Sequence, residues 1–164
     1  MAGSDTRPRR RPNSAVPVAP SAPRSSAAAL IAAARRARRH AIADFSGFAV
    51  GAALETQGGD IITGCNVENA TFGLTMCAER VALFKALSEG HRAFRRVAVV
   101  SDTVSPTPPC GACRQLLWEF GGNVEVIMAN LAREIARGPL ESLLPLPFSR
   151  RLLAETPRRA RRRR

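Results

Sequence analysis

The 164-residue chain contains no tyrosine, one tryptophan and two histidines. Lys85 is its single lysine. It also has no long apolar run. The longest, Ala27 to Ala34, is mostly alanine and stops at Arg35–Arg36, far short of the roughly 20 residues that a membrane-spanning helix needs. That excludes an integral membrane helix. The same run makes a poor signal peptide, because no small-residue cleavage site in a polar segment follows it. His40 and His91 are too few and too far from the other candidate ligands to build a histidine-based metal site, and both read as surface residues. The length allows one domain, not two ordinary ones.

Cysteine is scarce as well, at four residues. The composition looks intracellular, which argues against a disulfide framework and for thiols used in other ways. Hydrophobic residues make up 45% of the chain, enough for a genuine core. The formal charge of +12 invites a nucleic-acid reading, but its distribution argues otherwise. Residues 1–24 hold five arginines against Asp5, and residues 150–164 hold eight against Glu155. Residues 25–149 keep twelve basic and eleven acidic side chains, close to neutrality. The excess therefore belongs to two ends that read as disordered, a basic Pro/Ala-rich tail over 1–24 and an Arg-rich tail over 154–164. Such tails attract polyanions by counterion release, so nucleic acid is a partner only through them. The domain itself is expected over 25–153.

Within that domain, Ser25 or Ser26 can cap a helix. Leu30, Ala34, Ala37 and Ala41 share one face of it, and it should fade before Gly47. Phe48 to Leu54 reads as a buried strand, Gln57-Gly58-Gly59-Asp60 as a hairpin turn, and Ile61 to Gly64 as the returning strand. A polar loop, Cys65 to Asn69, leads to a helix that starts near Cys77 and ends at Gly90. Val97 to Val100 has the apolar continuity of a strand covered on both faces. A helix through Cys113, Leu116, Leu117 and Phe120 closes at Gly121–Gly122. The strand Val124 to Met128, a short edge strand over 133–137 and a brief helix from Pro139 to Leu143 complete the order. Strands alternating with helices predict a three-layer α/β/α sandwich, with a mixed sheet of about five strands.

Three cysteines fall at helix starts, in Cys77-Ala78-Glu79-Arg80 and Pro109-Cys110-Gly111-Ala112-Cys113. Unpaired backbone N–H groups there stabilise thiolates. A C-x-x-C pair with a third sulfur from a second helix suits zinc and leaves one tetrahedral position open, as a catalytic site requires. Cys65 as a fourth ligand would close that position and make the site structural. The more economical reading is a small buried residue beside it. Glu79 is too close to Cys77 in sequence to be a second ligand. It is well placed to pass protons to and from a water in the open position, whose pKa zinc lowers to about 7.

C-x-E followed at a distance by P-C-x-x-C matches the three-cysteine form of the zinc nucleobase-deaminase signature. The wider chain, over roughly residues 27–153, resembles the small homotetrameric cytidine deaminases. The likeness rests on Phe48-Ala49-Val50-Gly51-Ala52-Ala53-Leu54, Gly64-Cys65-Asn66-Val67-Glu68-Asn69-Ala70, the two cysteine motifs continued by Arg114-Gln115, and Leu143-Leu144-Pro145. The resemblance implies hydrolytic deamination of cytidine or deoxycytidine in pyrimidine salvage by a cytoplasmic homotetramer. In it, zinc is held by Cys77, Cys110 and Cys113, and zinc-bound hydroxide attacks C4 with Glu79 as the proton shuttle. It further implies that Phe48 stacks on the pyrimidine, Asn66 and Glu68 hold the sugar hydroxyls, and the Ala78 N–H anchors the base carbonyl. Phe148 would reach into a neighbouring subunit's pocket, and Arg80 would hydrogen-bond the thiolates. Phe45 and Phe72 depart from the pattern, since relatives often carry tyrosine there. The rival readings are a deaminase of another cytosine compound, a blasticidin-like nucleoside or a nucleic acid, and a non-catalytic zinc module that binds nucleic acid through its arginine tails.

Overall fold

The computed structural model describes residues 23–155; the tails expected over 1–24 and 154–164 lie almost wholly outside them. Helix α1 (Ala27–Arg38) begins where Ser26 caps it, the Ser26 hydroxyl accepting the Ala29 N–H at 3.0 Å. Five strands follow, β1 (Gly51–Thr56), β2 (Ile61–Cys65), β3 (Phe94–Val100), β4 (Glu125–Ala129) and β5 (Glu134–Pro139). Helix α2 (Ala78–Ser88) lies between β2 and β3, helix α3 (Gly111–Gly121) between β3 and β4, and a short α4 (Arg150–Glu155) ends the described chain. The sheet order is β2-β1-β3-β4-β5. Only β3 and β4 run parallel; the other neighbours are antiparallel. This is the mixed five-stranded α/β sheet that the sequence predicts.

Alternation along the central strands sorts their side chains between two apolar layers. Ala53, Ala98, Val100, Ile127 and Ala129 pack with Leu30, Ile31, Ala33 and Ala34 of α1. Ala52, Leu54, Val97, Val99, Val126 and Met128 pack with Ala82, Leu83 and Ala86 of α2 and Leu117 of α3. Two glycines let the helices sit directly on the sheet. A Cβ on Gly51 would stand 2.1 Å from the Ala34 carbonyl oxygen of α1, and one on Gly64 would stand 2.5 Å from the Ala78 carbonyl oxygen and the Ala82 nitrogen of α2. Any side chain at these two positions would push its helix away.

The structure corrects several boundaries. Helix α1 ends at Arg38, so Ala41 is not on its face. Beyond it the backbone pairs elsewhere: the Ile42 N–H donates to the Asn66 carbonyl, and the Glu68 N–H to the Ile42 carbonyl. Strand β1 starts at Gly51 rather than Phe48. Residues 48–50 lie outside the ladder and are held by Asn66, whose side chain donates to the Phe48 carbonyl at 2.9 Å and accepts the Val50 N–H at 2.8 Å and whose main-chain N–H donates to the Val50 carbonyl at 3.2 Å. Strand β3 begins three residues earlier than its apolar run, at Phe94. Arg96 extends it because it pairs across the ladder with Glu55. Both side chains are buried and form an ion pair that also grips Ser25. The brief helix expected from Pro139 is a single 3₁₀ turn, Leu140–Ser142.

Candidate active site

The two helix starts that carry the cysteines come together. Cys77 is the N-cap of α2 and Cys110 the N-cap of α3, and neither side chain caps the backbone N–H groups of its helix. Cys113 lies on the first turn of α3 and is buried. The Cys77 and Cys110 sulfurs are 3.8 Å apart, those of Cys110 and Cys113 3.5 Å, and all three lie within 4.8 Å of one another. Sulfurs at about 2.3 Å from one tetrahedral zinc would be about 3.8 Å apart, so the donor set matches a zinc ion in both chemistry and spacing. Among the described residues no fourth His, Cys, Asp or Glu joins the group. Cys65 stands apart, its sulfur 3.2 Å from the His40 carbonyl oxygen, and burial pushes its thiol up. The closed four-cysteine alternative is therefore not built.

The cluster is charged even before a metal is considered. A hydrogen bond from Cys113 lowers the Cys77 thiol to about 5, against the opposing effect of burial and with further help from Arg80 and Cys110. The Cys113 thiol is pushed up by that same bond and by burial. A divalent cation replaces such shared protons, because thiolates are the ligands. Arg80 faces the sulfurs from within α2. Its Nη2 donates to the Thr75 carbonyl at 2.8 Å and to the Cys77 sulfur at 3.6 Å, and its buried Nε has no partner among the described residues.

Glu79, on the first turn of α2, is only 5% exposed. Burial pushes its carboxyl up to about 7; its own backbone N–H, the Arg80 charge and a hydrogen bond from Cys113 oppose the rise, and the Cys77 charge adds to it. A carboxyl buried against the sulfurs and close to half-protonated near neutrality has the character of a general acid–base group. Ala78 is the first residue of α2 and wholly buried, so its N–H has no partner within the helix.

The polar loop is tied to the cysteine helix. Val67 exchanges both backbone hydrogen bonds with Met76, the residue before Cys77, at 2.9 and 3.0 Å. On either side of Val67 stand Asn66 and Glu68. The buried Asn66 amide uses its oxygen on Val50 N–H and one of its two N–H groups on Phe48 carbonyl, leaving one N–H. The Glu68 carboxylate accepts from the Phe45 and Ser46 N–H groups at 3.0 Å each and from the Ser46 hydroxyl at 2.5 Å. The Ser46 hydroxyl and N–H hold its carboxyl below the usual range. Glu68 also lines an open cavity of about 440 Å³ with Phe45, Ser46, Phe72 and Thr75. There Phe45 and Phe72 meet edge to face, ring centres 5.3 Å apart, so the two positions that lack tyrosine form one apolar wall. Phe48 exposes 43% of its surface, its backbone fixed by Ser46 and Asn66. Phe148 is 53% exposed and held by its main chain, both N–H and carbonyl pairing with the Gln115 amide.

Sequence reasoning overlooked Ser46, Thr75 and Gln115. Gln115 belongs to the second cysteine motif and could have been suspected from its place two residues beyond Cys113. Thr75 acts through its carbonyl, which no side-chain pattern reveals.

A family model described as the cytidine and deoxycytidylate deaminase zinc-binding region matches residues 24–130. A protein of Sporosarcina psychrophila named cytidine deaminase is 48% identical over 122 residues, covering 74% of this chain and 90% of that one. The crystal structure of a cytidine deaminase from Burkholderia pseudomallei superposes with a TM-score of 0.73 at 47% identity, covering 76% of this chain and all of that one. A blasticidin-S deaminase of Bacillus cereus is more distant, 31% identical over 109 residues, covering 62% of this chain and 77% of that one.

Proposed function

This chain belongs to the cytidine and deoxycytidylate deaminase family, and from that membership we propose how its residues divide the hydrolysis of cytidine or deoxycytidine to uridine or deoxyuridine and ammonia. The observation that carries the reading is the convergence of three cysteine sulfurs from two helix N-termini beside one buried carboxylate. Zinc bound there by Cys77, Cys110 and Cys113 supplies Lewis acidity, which makes water a nucleophile at neutral pH.

The protein's own groups handle the protons. Glu79 takes one from the water that adds at C4 of the pyrimidine and gives it to N3. It then takes the proton of the new C4 hydroxyl and gives it to the amine, and the C4–N bond breaks as the C4 carbonyl forms and ammonia leaves. Its raised pKa suits a group that must both accept and donate. The Ala78 N–H donates to the base carbonyl. The free N–H of Asn66 and the carboxylate of Glu68 hold sugar hydroxyls, and the Phe48 ring stacks on the base. Arg80 offsets the negative charge of the thiolates. A free nucleoside suits Glu68 better than a polymer does, because its sugar hydroxyls are available as donors. The rival of a non-catalytic zinc module gives way to the enzymes among the relatives, and the more distant blasticidin-S deaminase does not favour that substrate.

Phe148 acts across a subunit boundary in a homotetramer. Support comes from large apolar side chains left on the surface, Val104 and Leu146 at 92% and 94% exposure among them, of the kind that association covers. A reducing compartment, the cytoplasm, suits a protein whose four cysteines are all free thiols. There the product nucleoside would return to pyrimidine salvage. Residues 25–153 form the catalytic unit.

The test is a substrate panel run with zinc analysis on the purified full chain: cytidine, deoxycytidine, cytidine monophosphate, blasticidin S and single-stranded DNA. We expect turnover of the two nucleosides with one zinc per chain, lost on chelation and restored by zinc. Preferred turnover of another panel member, or full activity without metal, overturns the reading.

A further inference from the structure

Helix α3 does more than carry Cys113. The next two side chains, Arg114 and Gln115, both reach the C-terminal segment. Arg114 donates from Nε to the carbonyl of Pro109, just before Cys110, at 2.6 Å, and from Nη1 to the carbonyl of Leu143 at 2.9 Å. Gln115 is more selective. Its Nε2 donates to the Phe148 carbonyl at 2.7 Å, and its Oε1 accepts the Phe148 N–H at 3.0 Å. A primary amide presents a donor and an acceptor side by side, so it satisfies both main-chain groups of one residue, as a neighbouring strand would. Phe148 needs this, because it lies between the 3₁₀ turn Leu140–Ser142 and α4, in no regular element of its own. The residue is left about half exposed, so its own subunit covers it only in part.

We infer that Gln115 is a positioning residue for the deaminase reaction. It fixes the Phe148 main chain to the helix that carries Cys113, so that the ring is presented to a second copy's nucleoside site without being ordered anew. The inference rests on the cross-subunit reading of Phe148. Gln115 has no part in the chemistry. Its loss releases an aromatic side chain that must then be ordered on substrate binding, a penalty that raises KM by roughly 3- to 10-fold and leaves kcat near its starting value.

The experiment compares four variants of the full-length zinc enzyme with the parent: Gln115→Ala, Gln115→Met, Phe148→Ala and the double Gln115→Ala/Phe148→Ala. The methionine variant keeps side-chain length and helix preference while removing both hydrogen bonds. Kinetics on cytidine are measured with zinc content and sedimentation mass. The expected result is a raised KM in all four variants, unchanged zinc and mass in both single Gln115 variants, and a double variant no worse than Phe148→Ala. If Phe148→Ala raises KM and the Gln115 variants do not, the inference falls and the reading of Phe148 stands. If the effects multiply in the double variant, Gln115 acts elsewhere and the inference falls. If Phe148→Ala matches the parent, the cross-subunit reading falls and takes the inference with it. Should Gln115→Ala fold poorly, Gln115→Met decides; zinc loss in both makes Gln115 a support of the metal helix and overturns the positioning role.

Discussion

Replacing Gly64 with alanine would put a methyl group where α2 already stands. The added Cβ would meet the Ala78 carbonyl oxygen and the Ala82 nitrogen at 2.5 Å, and the Val81 Cβ at 3.0 Å. Ordinary contact begins near 3.4 Å, so the helix must withdraw by about 0.9 Å or β2 must buckle. The two nearest atoms are backbone, and no rotamer change relieves them. Overpacking of this kind costs about 1–3 kcal/mol, with the upper end expected here. The larger consequence is chemical. Cys77 and Glu79 move with α2, while Cys110 and Cys113 stay with α3. Zinc–sulfur distances tolerate about 0.2 Å, and a misplacement of about 1 Å can lower turnover on the order of 10²-fold. Gly64→Ala should therefore lower the melting temperature by several degrees, reduce bound zinc below one per chain and cut kcat by about two orders of magnitude.

Gly138→Ala in β5 is the control, since its Cβ would meet nothing closer than the Ser142 hydroxyl at 3.4 Å. It should stay within about 0.5 kcal/mol of the parent. Thermal unfolding, elemental zinc analysis and cytidine kinetics on the two variants decide the matter. A Gly64→Ala enzyme with full zinc, parental melting and parental kcat refutes the argument that this contact sets the height of the cysteine helix above the sheet.

Glu79→Gln should keep zinc and fold while kcat falls by more than about 10⁴-fold, because the proposed mechanism routes every proton transfer through this residue; retained turnover above a few per cent assigns the shuttle elsewhere. Cys113→Ala removes a buried ligand, and dialysis should strip its zinc under conditions that leave the parent loaded. Arg80→Gln removes the positive charge facing the thiolates, so the acid limb of the kcat/KM profile should move to higher pH; an unmoved limb counts against charge withdrawal by Arg80. Glu55→Gln leaves Arg96 charged and unpaired in the interior, a destabilisation of about 3–5 kcal/mol at neutral pH. Burial raises the Glu55 carboxyl, but the hydrogen bonds of Arg96 and Ser25 outweigh it and hold it below its ordinary 4.5. Its stabilising effect is therefore present above pH 4.5 and lost as pH falls through the lowered folded value. Urea unfolding should show the gap between parent and variant narrowing on acidification below 4.5, and a constant gap contradicts the assignment.

The parts of the molecule that sequence revealed are those set by local chemistry. Ser26 caps α1, Gly58-Gly59 turns the first hairpin, and Cys77, Cys110 and Cys113 mark helix starts, all within a few residues of their partners. What it hid depends on distant contacts. Glu55 and Arg96, 41 residues apart, sit in central strands and cancel each other there, whereas each alone reads as a strand end facing water. The end of α1 is set by Ile42 pairing with the Asn66–Glu68 loop, which no helical periodicity reports. Gln115 reaches across 33 residues to Phe148, so its partner could not be read from its neighbours. Within the cysteine site the ligand types and their spacing were legible, but the identity of what holds Glu68, the hydroxyl and N–H of Ser46, was not.

The arrangement around Arg80 follows from using sulfur alone. Three thiolates around one divalent zinc leave a net charge of −1, and a negative centre is a weaker Lewis acid than one with a neutral ligand. The charge must be drawn off without adding a competing anion. Arg80 meets that requirement, because Nη2 is pinned by the neutral Thr75 carbonyl rather than by a carboxylate. Among the described residues its positive charge is not spent in a salt bridge, and it acts on the sulfurs. It also acts on Glu79, opposing the rise in its pKa that burial imposes. The two helix N-termini add to the same field. In the proposed mechanism one guanidinium thus tempers both the sulfurs and the proton carrier, from within the four residues Cys77 to Arg80.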